Sequence, residues 1–304
     1  MPSAWDMVKN QALIYSFLLL FSTISHGNTH RVPLKYSTIQ SAINATNIGD
    51  TVLVDHGIYF ENILINKNIT LASRFIVDQD TSHISNTIID GSKPRNILKA
   101  SVVTIKGKTD TTCAIIGFTI CGGTGTYFYV SRDTIYNHWM MGGGVYIENA
   151  GARIAHNIIT KNTLSTNVFD SGVGLRVIHN SPKILDELKS NVAQGAGIES
   201  FDSTFGRIVP PYLIIENNIV IGNTAAGQIA QAGGIDTHQP AVIRHNVVIG
   251  NQVKSQSRLG VGGGIAIMIR ANFDVVVDGN YISNNFAGIG GGLLIGTGFV
   301  RQGR

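Results

Sequence analysis

Short runs of alternating aliphatic and polar residues fill most of the chain. Typical runs are TVLV at residues 51–54 and NITLAS at residues 68–73, and both are bounded by Asn, Lys or Gly. Alternation over about four to eight residues is typical of β-strands, whereas Gly and Asn favour turns. The pattern therefore predicts an all-β protein built from many short strands.

One segment near the start has helical spacing instead. Ile39 is followed by Ala42 and Ile43, three and four residues later, after Ser37 as a capping candidate. Gly49 can end this helix. Because the first coil of a solenoid would expose an apolar end and unpaired backbone groups, a short helix here suits an N-terminal cap.

Two sequence signatures recur along the chain, and recurrence at a fixed period indicates a repeat protein. The first is a glycine-rich strand start that recurs at a spacing of about 30 residues. Its copies are GGGVYIE at 142, GAGIES at 195, AGGIDTH at 232, GGGIAIM at 262, GGGLLIG at 290 and the variant SGVGLRV at 171.

The second signature is a pair of Asn residues five positions apart around a β-branched strand. It occurs as NIITKN at 157, NIVIGN at 218, NVVIGN at 246 and NYISNN at 280. If each repeat is one coil, alternate aliphatic side chains stack inside a tube and equivalent Asn side chains form ladders along it. The repeats thus predict a single-stranded parallel β-helix over residues 28–304.

The residues also resemble a known family. The run YSTIQSAINATNIGDTVLVDHGIYFENILINKNITLAS, with TIIDGS at 87–92 and AIIGFTICGG at 114–123, is similar to pectin-lyase-like right-handed parallel β-helix proteins, especially secreted bacterial ones. The resemblance covers roughly residues 36–296. It implies a right-handed coil and a polysaccharide partner held along one sheet. It leaves the activity open, because this scaffold carries lyases, hydrolases, epimerases, esterases and binding modules.

Composition narrows the class further. Only 14% of the residues are charged and 35 are glycine, which excludes a disordered chain and a helical bundle. The net charge of +4 comes from scattered Lys and Arg without a basic run, so no nucleic-acid partner is expected. Cys113 and Cys121 are too far apart along an extended run to form a disulfide, and we expect two structural thiols.

The ends of the chain carry two further expectations. Lys9 precedes the apolar run ALIYSFLLLF at 12–21, which predicts a signal peptide over residues 1–27, with Met1 or Met7 as the start. Ten apolar residues are too few to span a membrane, so a secreted, periplasmic or cell-surface protein without a span after cleavage is expected. The final RQGR stops early in a new coil, which predicts C-terminal truncation; the full-length protein is expected to be a monomer.

Aligning the glycine starts predicts one face of the solenoid. The residue after each final glycine points inward, so the second points outward, and so does the fourth. With coils about 4.8 Å apart, charged side chains gather on this face. The catalytic candidates are Arg176, Glu199, Asp236 and His238, and the substrate-binding candidates are Tyr146, Glu148, Phe201 and Trp139.

Several chemistries fit this face. Glu199 and Asp236 on adjacent coils could chelate Ca²⁺ for β-elimination, with Arg176 or another group as the base. They could instead divide the acid role and the nucleophile or base role in glycoside hydrolysis. Plain sugar binding or a solvated face without a ligand remain as alternatives. The residues establish no cofactor with certainty; Ca²⁺ is the one that the carboxylates suggest, and the metal stays unknown.

The enzyme question is left open at this stage. The N-T-D, G-H-G and R-I-K motifs of polygalacturonase-like proteins are absent from the sequence. If the protein is an enzyme, a polysaccharide lyase or glycoside hydrolase is expected; the rival is a noncatalytic structural or adhesion solenoid. The aromatic insertion at 124–141, which contains Trp139, either walls a binding groove or forms a packed flap.

Overall fold

The computed structural model describes residues 27–132, 135–166, 190–204, 208, 211–256, 260–269 and 273–297. The signal-peptide prediction and the final residues 298–304 therefore lie almost entirely outside the described residues. Within them, short strands dominate, and three parallel sheets run the length of the molecule. Strands are numbered in chain order.

Successive coils add one strand to each of these sheets, called A, B and C. Sheet A contains β1 (Thr29–Val32), β2 (Thr51–Val54), β5 (Thr70–Ser73), β9 (Ala114–Ile116), β14 (Ala152–Ala155), β19 (Leu213–Glu216), β24 (Ala241–Arg244) and β28 (Val275–Asp278). Sheet B contains β3 (Gly57–Phe60), β6 (Thr87–Asp90), β10 (Thr119–Cys121), β15 (Ile158–Thr160), β20 (Ile219–Ile221), β25 (Val247–Ile249) and β29 (Tyr281–Ser283). Sheet C contains β4 (Ile63–Ile65), β8 (Val103–Lys106), β13 (Val145–Glu148), β18 (Ile198–Phe201), β23 (Ile235–Thr237), β27 (Ile265–Ile269) and β30 (Leu293–Thr297).

The core is a continuous stack of aliphatic side chains inside the tube formed by these three sheets. In sheet C, Val145, Ile198, Ile235 and Ile265 are register partners on consecutive strands and are fully buried. Burial of one such side chain stabilises the fold by about 1.5–3 kcal/mol. The prediction of an all-β parallel solenoid with inward-stacking aliphatic residues is confirmed.

The predicted Asn ladders are confirmed as well. Asn157 donates from Nδ2 to Oδ1 of Asn218 at 3.1 Å, and Asn218 donates in the same way to Asn246 at 3.0 Å. Each Oδ1 also accepts the backbone N–H of the preceding Asn. A second ladder of the same geometry contains Asn162, Asn223, Asn251 and Asn285.

The N-terminal helix is present as α1 (Ile39–Ala45), and Ile39, Ala42 and Ile43 form its buried side. The cap is Thr38 rather than Ser37, because the Thr38 hydroxyl accepts the Ser41 N–H in a capping box. The helix ends at Ala45, with Thr46 as its C-cap, and not at Gly49. Strand β1 precedes it and pairs with β2, which the sequence did not predict.

The sequence pattern did not predict two further short helices. They are α2 (Phe75–Asp78) and α3 (Ser82–Asn86), and both lie in the connection between β5 and β6. Among the described residues, no helix is long and apolar enough to cross a membrane. Cys113 and Cys121 are unpaired, and burial raises the pKa of the Cys113 thiol to about 12, which fits the expected structural role.

One predicted coil does not occupy its expected place. The sequence placed a strand at residue 171 between those at 142 and 195, but β13 pairs directly with β18. No strand lies between Tyr146 and Glu199, which are register partners. Arg176 itself lies outside the described residues.

In the later coils, the connection from sheet B to sheet C contains additional strands, which form two smaller sheets. Sheet E contains β16 (Thr163–Ser165), β21 (Thr224–Gly227) and β26 (Gln252–Ser255). Sheet D contains β7 (Lys99–Ala100), β11 (Gly125–Arg132), β12 (Ile135–Met141), β17 (Ser190–Gln194) and β22 (Ile229–Gln231). The insertion at 124–141 forms the antiparallel hairpin β11–β12, and its Phe128 and Trp139 side chains pack against Phe201 of β18.

Candidate functional site

The predicted column of side chains exists in sheet C. Tyr146, Glu199 and Asp236 are register partners on β13, β18 and β23. Their chain neighbours Val145 and Ile198 fill the tube core, so the column points away from the core, as the alternation predicts. The expectation of an exposed face is nevertheless wrong, because all three column residues are at most 1% exposed.

Sheet D covers this face with aromatic side chains. The Phe201 ring meets Phe128 edge-on at 4.9 Å and Trp139 at 5.3 Å between ring centroids, and Met141 and Tyr146 complete the cluster. Phe201 is 0% exposed, so neither face of its ring is open to a sugar. Trp139 of sheet D and Phe201 of sheet C, both expected to bind substrate, pack against each other in this cluster.

Beneath the cover lies a group of three side chains, here called the buried cluster: Glu199, Asp236 and His238. The His238 Nε2 atom lies 3.7 Å from Glu199 Oε1 and 3.5 Å from Asp236 Oδ1. All three side chains are at most 1% exposed. The structure therefore brings together three of the four residues that the sequence selected as catalytic candidates.

A pair of glutamines extends the buried cluster into sheet D. Gln231 donates from Nε2 to Asp236 Oδ2 at 2.8 Å, and Gln194 donates to Gln231 Oε1 at 3.3 Å. Within the described part of the chain, Asp236 Oδ1 and both ring nitrogens of His238 have no hydrogen-bond partner. Burial, with the charges of Glu148 and Glu199, raises the pKa of Tyr146, so that its hydroxyl stays protonated.

This arrangement can exchange protons or hold a cation, since it combines two carboxylates with an imidazole. It cannot touch a polysaccharide in the described conformation, because sheet D separates it from solvent. Glu148, the remaining binding candidate, is half-buried at the border of the cover and lines an open cavity instead.

An open cleft beside α1 is the feature that sequence reasoning missed. It consists of two adjoining cavities, of about 500 and about 180 Å³, which share Asn62 and Lys99 as lining residues. The second cavity reaches the sheet C face at Tyr146 and Glu148. The charged and aromatic lining of the open cleft is Phe60, Glu61, Lys93, Arg95, Lys99, Lys106, Tyr146 and Glu148.

The cleft carries more positive than negative charge. The Lys93 ammonium lies 3.6 Å from the centre of the half-exposed Phe60 ring, a cation–π contact. The Glu61 carboxylate accepts the backbone N–H groups of Ile39 and Gln40 at 2.8 and 2.9 Å and so caps α1. The segment SKPRN at 92–96 was a signal for this cleft, but two cations flanking a proline do not stand out among scattered charges.

Comparison with known proteins gives one match. The family model described as "Right handed beta helix region" matches residues 101–272, which include the whole buried cluster. Most of the lining of the open cleft precedes the matched region. No curated protein and no solved structure matches the chain.

Proposed function

Since the chain belongs to the right-handed β-helix family, we propose that it is an exported protein that binds an acidic polysaccharide in the open cleft. The observation that carries this proposal is the charge of the lining, four cations against two carboxylates. Uronate-containing chains carry a carboxylate on successive sugar rings, and a groove lined by one sign of charge attracts the opposite sign.

Glu61 offsets the positive charge of the open cleft only weakly, because its carboxylate caps α1. Its carboxylate faces two backbone N–H groups of α1, so its charge is largely taken up by the helix terminus. Lys93, Arg95 and Lys99 are exposed along the same cavity. Arg in particular can bind a sugar carboxylate through two parallel hydrogen bonds.

The neutral part of the lining suits a sugar ring. Phe60 is 46% exposed and presents an apolar surface beside the cations. Gln40, Asn62 and Asn96 supply amide groups around the same cavity. Sugar sites combine an aromatic surface with amide hydrogen-bond partners in this way.

Binding is favoured here over cleavage of the polysaccharide. A lyase or hydrolase that used Glu199, Asp236 and His238 would require a sugar to reach side chains that are at most 1% exposed. The open cleft requires no such rearrangement. Export is part of the proposal and rests on the apolar run at 12–21, which lies outside the described residues.

The test is calorimetric titration of the full chain with polygalacturonate and with neutral dextran, at low and high salt. We expect polygalacturonate to bind and dextran not to bind. The affinity for polygalacturonate should be lower at high salt than at low salt. The double variant Lys93→Gln, Arg95→Gln should lose about tenfold in affinity, since two exposed ion pairs contribute up to about 1 kcal/mol each. Lys254→Gln, on sheet E, is the matched control and should bind like the parent chain.

Two results would count against the proposal. Equal binding of dextran and polygalacturonate would show that the positive charge of the cleft does not select the glycan. Failure to bind any glycan would favour the alternative, a noncatalytic structural or adhesion solenoid. Unsaturated products or new reducing ends, assayed in the same mixtures, would show that the protein modifies the glycan. Fractionation of expressing cells, with the N-terminus of the exported chain read by mass spectrometry, tests export.

A further inference from the structure

We infer that Glu199, Asp236 and His238 form a binding site for one divalent transition-metal ion of the Zn²⁺ type, which links neighbouring coils. The ligand atoms that the three side chains offer all lie within 4.8 Å of one another. All three residues are buried, so such an ion would stand between β18, β23 and the residue that follows β23.

The distances within the buried cluster match metal ligands better than hydrogen-bond partners. His238 Nε2 lies 3.5 Å from Asp236 Oδ1 and 3.7 Å from Glu199 Oε1, both too long for strong hydrogen bonds. Two ligands on a tetrahedral Zn²⁺ ion, each about 2.1 Å from it, are about 3.4 Å apart. Both distances from His238 Nε2 lie within about 0.3 Å of that separation. All the ligand atoms lie within 4.8 Å of one another, so the two carboxylates have to close by at most about 1.4 Å to hold the ion.

Polar atoms that would otherwise be left unsatisfied point to a ligand. Asp236 Oδ1 and both ring nitrogens of His238 lack hydrogen-bond partners within the described ranges, although each residue is fully buried. Buried polar atoms in this condition weaken a fold, and most proteins satisfy them. A metal ion bound by Asp236 Oδ1 and His238 Nε2 satisfies one atom of each residue.

Charge leads to the same conclusion. Glu199 and Asp236 are register partners on adjacent strands, and their carboxylates share one buried space. Two like charges taken out of water repel each other. A divalent ion neutralises both carboxylates while His238 remains a neutral ligand.

The ligand set selects the kind of metal. Ca²⁺ takes six to eight oxygen ligands, whereas the buried cluster offers two carboxylates and a ring nitrogen under an aromatic cover. Zn²⁺ accepts nitrogen and carboxylate oxygen together and is satisfied by three protein ligands plus water. Gln231 serves as the outer partner, because its bond to Asp236 Oδ2 leaves Oδ1 directed at His238.

The experiment measures metal binding rather than glycan binding, so its failure and that of the proposed function are distinguishable. The full chain is unfolded in chelator, refolded with Zn²⁺, Co²⁺ or Ca²⁺, desalted and analysed for metal by mass spectrometry. We expect one Zn²⁺ or Co²⁺ ion per chain, the intense visible absorption of four-coordinate Co²⁺, and a higher melting temperature with Zn²⁺ than with chelator.

Asp236→Asn removes a ligand charge with little change of shape and should lower Zn²⁺ retention at least tenfold. The matched control is Glu216→Gln, which alters a buried carboxylate of sheet A outside the buried cluster and should retain the ion. The inference is overturned if the parent chain retains no stoichiometric metal, if it retains Ca²⁺ alone, or if Asp236→Asn retains Zn²⁺ as the parent does. The parent's metal content and Co²⁺ spectrum decide the matter even if the variant fails to fold.

Discussion

Asn218 connects two coils by accepting the backbone N–H of Asn157 at 3.0 Å and donating from Nδ2 to the Ile154 carbonyl at 2.8 Å. The backbone at these corners turns away from its strand partners, and the residue before Asn218, Asn217, has a φ of 54°. Peptide groups at such corners cannot pair within a sheet, so the amide side chain replaces the missing partners.

The ladder makes a quantitative prediction. Asn218→Ala leaves the buried Asn157 N–H without its partner and removes the amide hydrogen bonds to the Ile154 carbonyl and to Asn246, so it should reduce the free energy of unfolding by about 3 kcal/mol. Urea denaturation followed by circular dichroism measures this loss.

The matched control is Asn280→Ala, at the last described rung of the same ladder. Asn280 is half-exposed, so water can replace its hydrogen bonds to Asn246 and Ile243, and we expect a loss of about 1 kcal/mol. Equal losses for the two variants would show that the ladder does not depend on burial.

The ladders were predictable because each Asn recurs at a fixed offset from an aliphatic strand. The expectation that a strand at residue 171 stands between those at 142 and 195 in sheet C was wrong. SGVGLRV shares the local glycine pattern, but local patterns do not reveal that β13 and β18 pair directly across 53 residues of chain, Val145 with Ile198. Pairing partners far apart in sequence are set by tertiary packing.

Ala232 provides a test of backbone strain. It occupies the corner between sheets D and C with a φ of 47°, where Gly142 and Gly195 have values of 59° and 64°. Ala232→Gly should change stability by less than about 0.5 kcal/mol, since relief of the left-handed strain offsets the lost methyl burial and the added chain entropy.

Ala230→Gly is the comparison variant, because Ala230 is equally buried but lies within β22, outside the left-handed region. Because the backbone at Ala230 has no left-handed strain to relieve, Ala230→Gly should lower the free energy of unfolding by about 1.5 kcal/mol. Chemical denaturation of both variants measures the difference. Similar losses in the two would mean that the corner imposes no strain on Ala232.

Glu216 predicts a pH dependence of stability. It is almost fully buried and forms ion pairs with Arg153 and Arg244, both at 2.6 Å. Burial raises the pKa of Glu216, but the hydrogen bonds from Arg244 and Arg153 outweigh it, so the pKa lies below its ordinary 4.5. The stabilisation is therefore fully present above pH 4.5 and is lost as the pH falls through the lower folded-state pKa.

Glu216→Gln should accordingly cost about 1–2 kcal/mol at neutral pH, with the exposed arginines moderating the loss. The difference from the parent chain should shrink as the pH falls below 4.5. Urea unfolding at several pH values measures it. A difference that stays constant down to the acid transition would contradict the assigned role of the carboxylate.

The site was predictable only in part, for a physical reason. Period-two alternation placed Glu199 and Asp236 on one outward column, because the strand pleat dictates it. Alternation describes only the sheet that carries the residues. It does not show that sheet D folds back over that sheet, since the cover comes from hairpin β11–β12 and from strands elsewhere in the chain. Among the cations of the open cleft, Lys93 and Arg95 lie in a loop without periodicity, whereas Lys99 and Lys106 lie in β7 and β8.

Phe201 separates the two possible roles of the aromatic residues. It is fully enclosed by Phe128, Trp139 and His238, so Phe201→Leu should lower the free energy of unfolding by about 1–2 kcal/mol through imperfect packing. Binding of polygalacturonate should stay within twofold of the parent, because the open cleft does not include Phe201. Denaturation and titration of one preparation measure both quantities. A stable variant with weakened binding would place the glycan on the sheet C face beneath sheet D instead of in the open cleft.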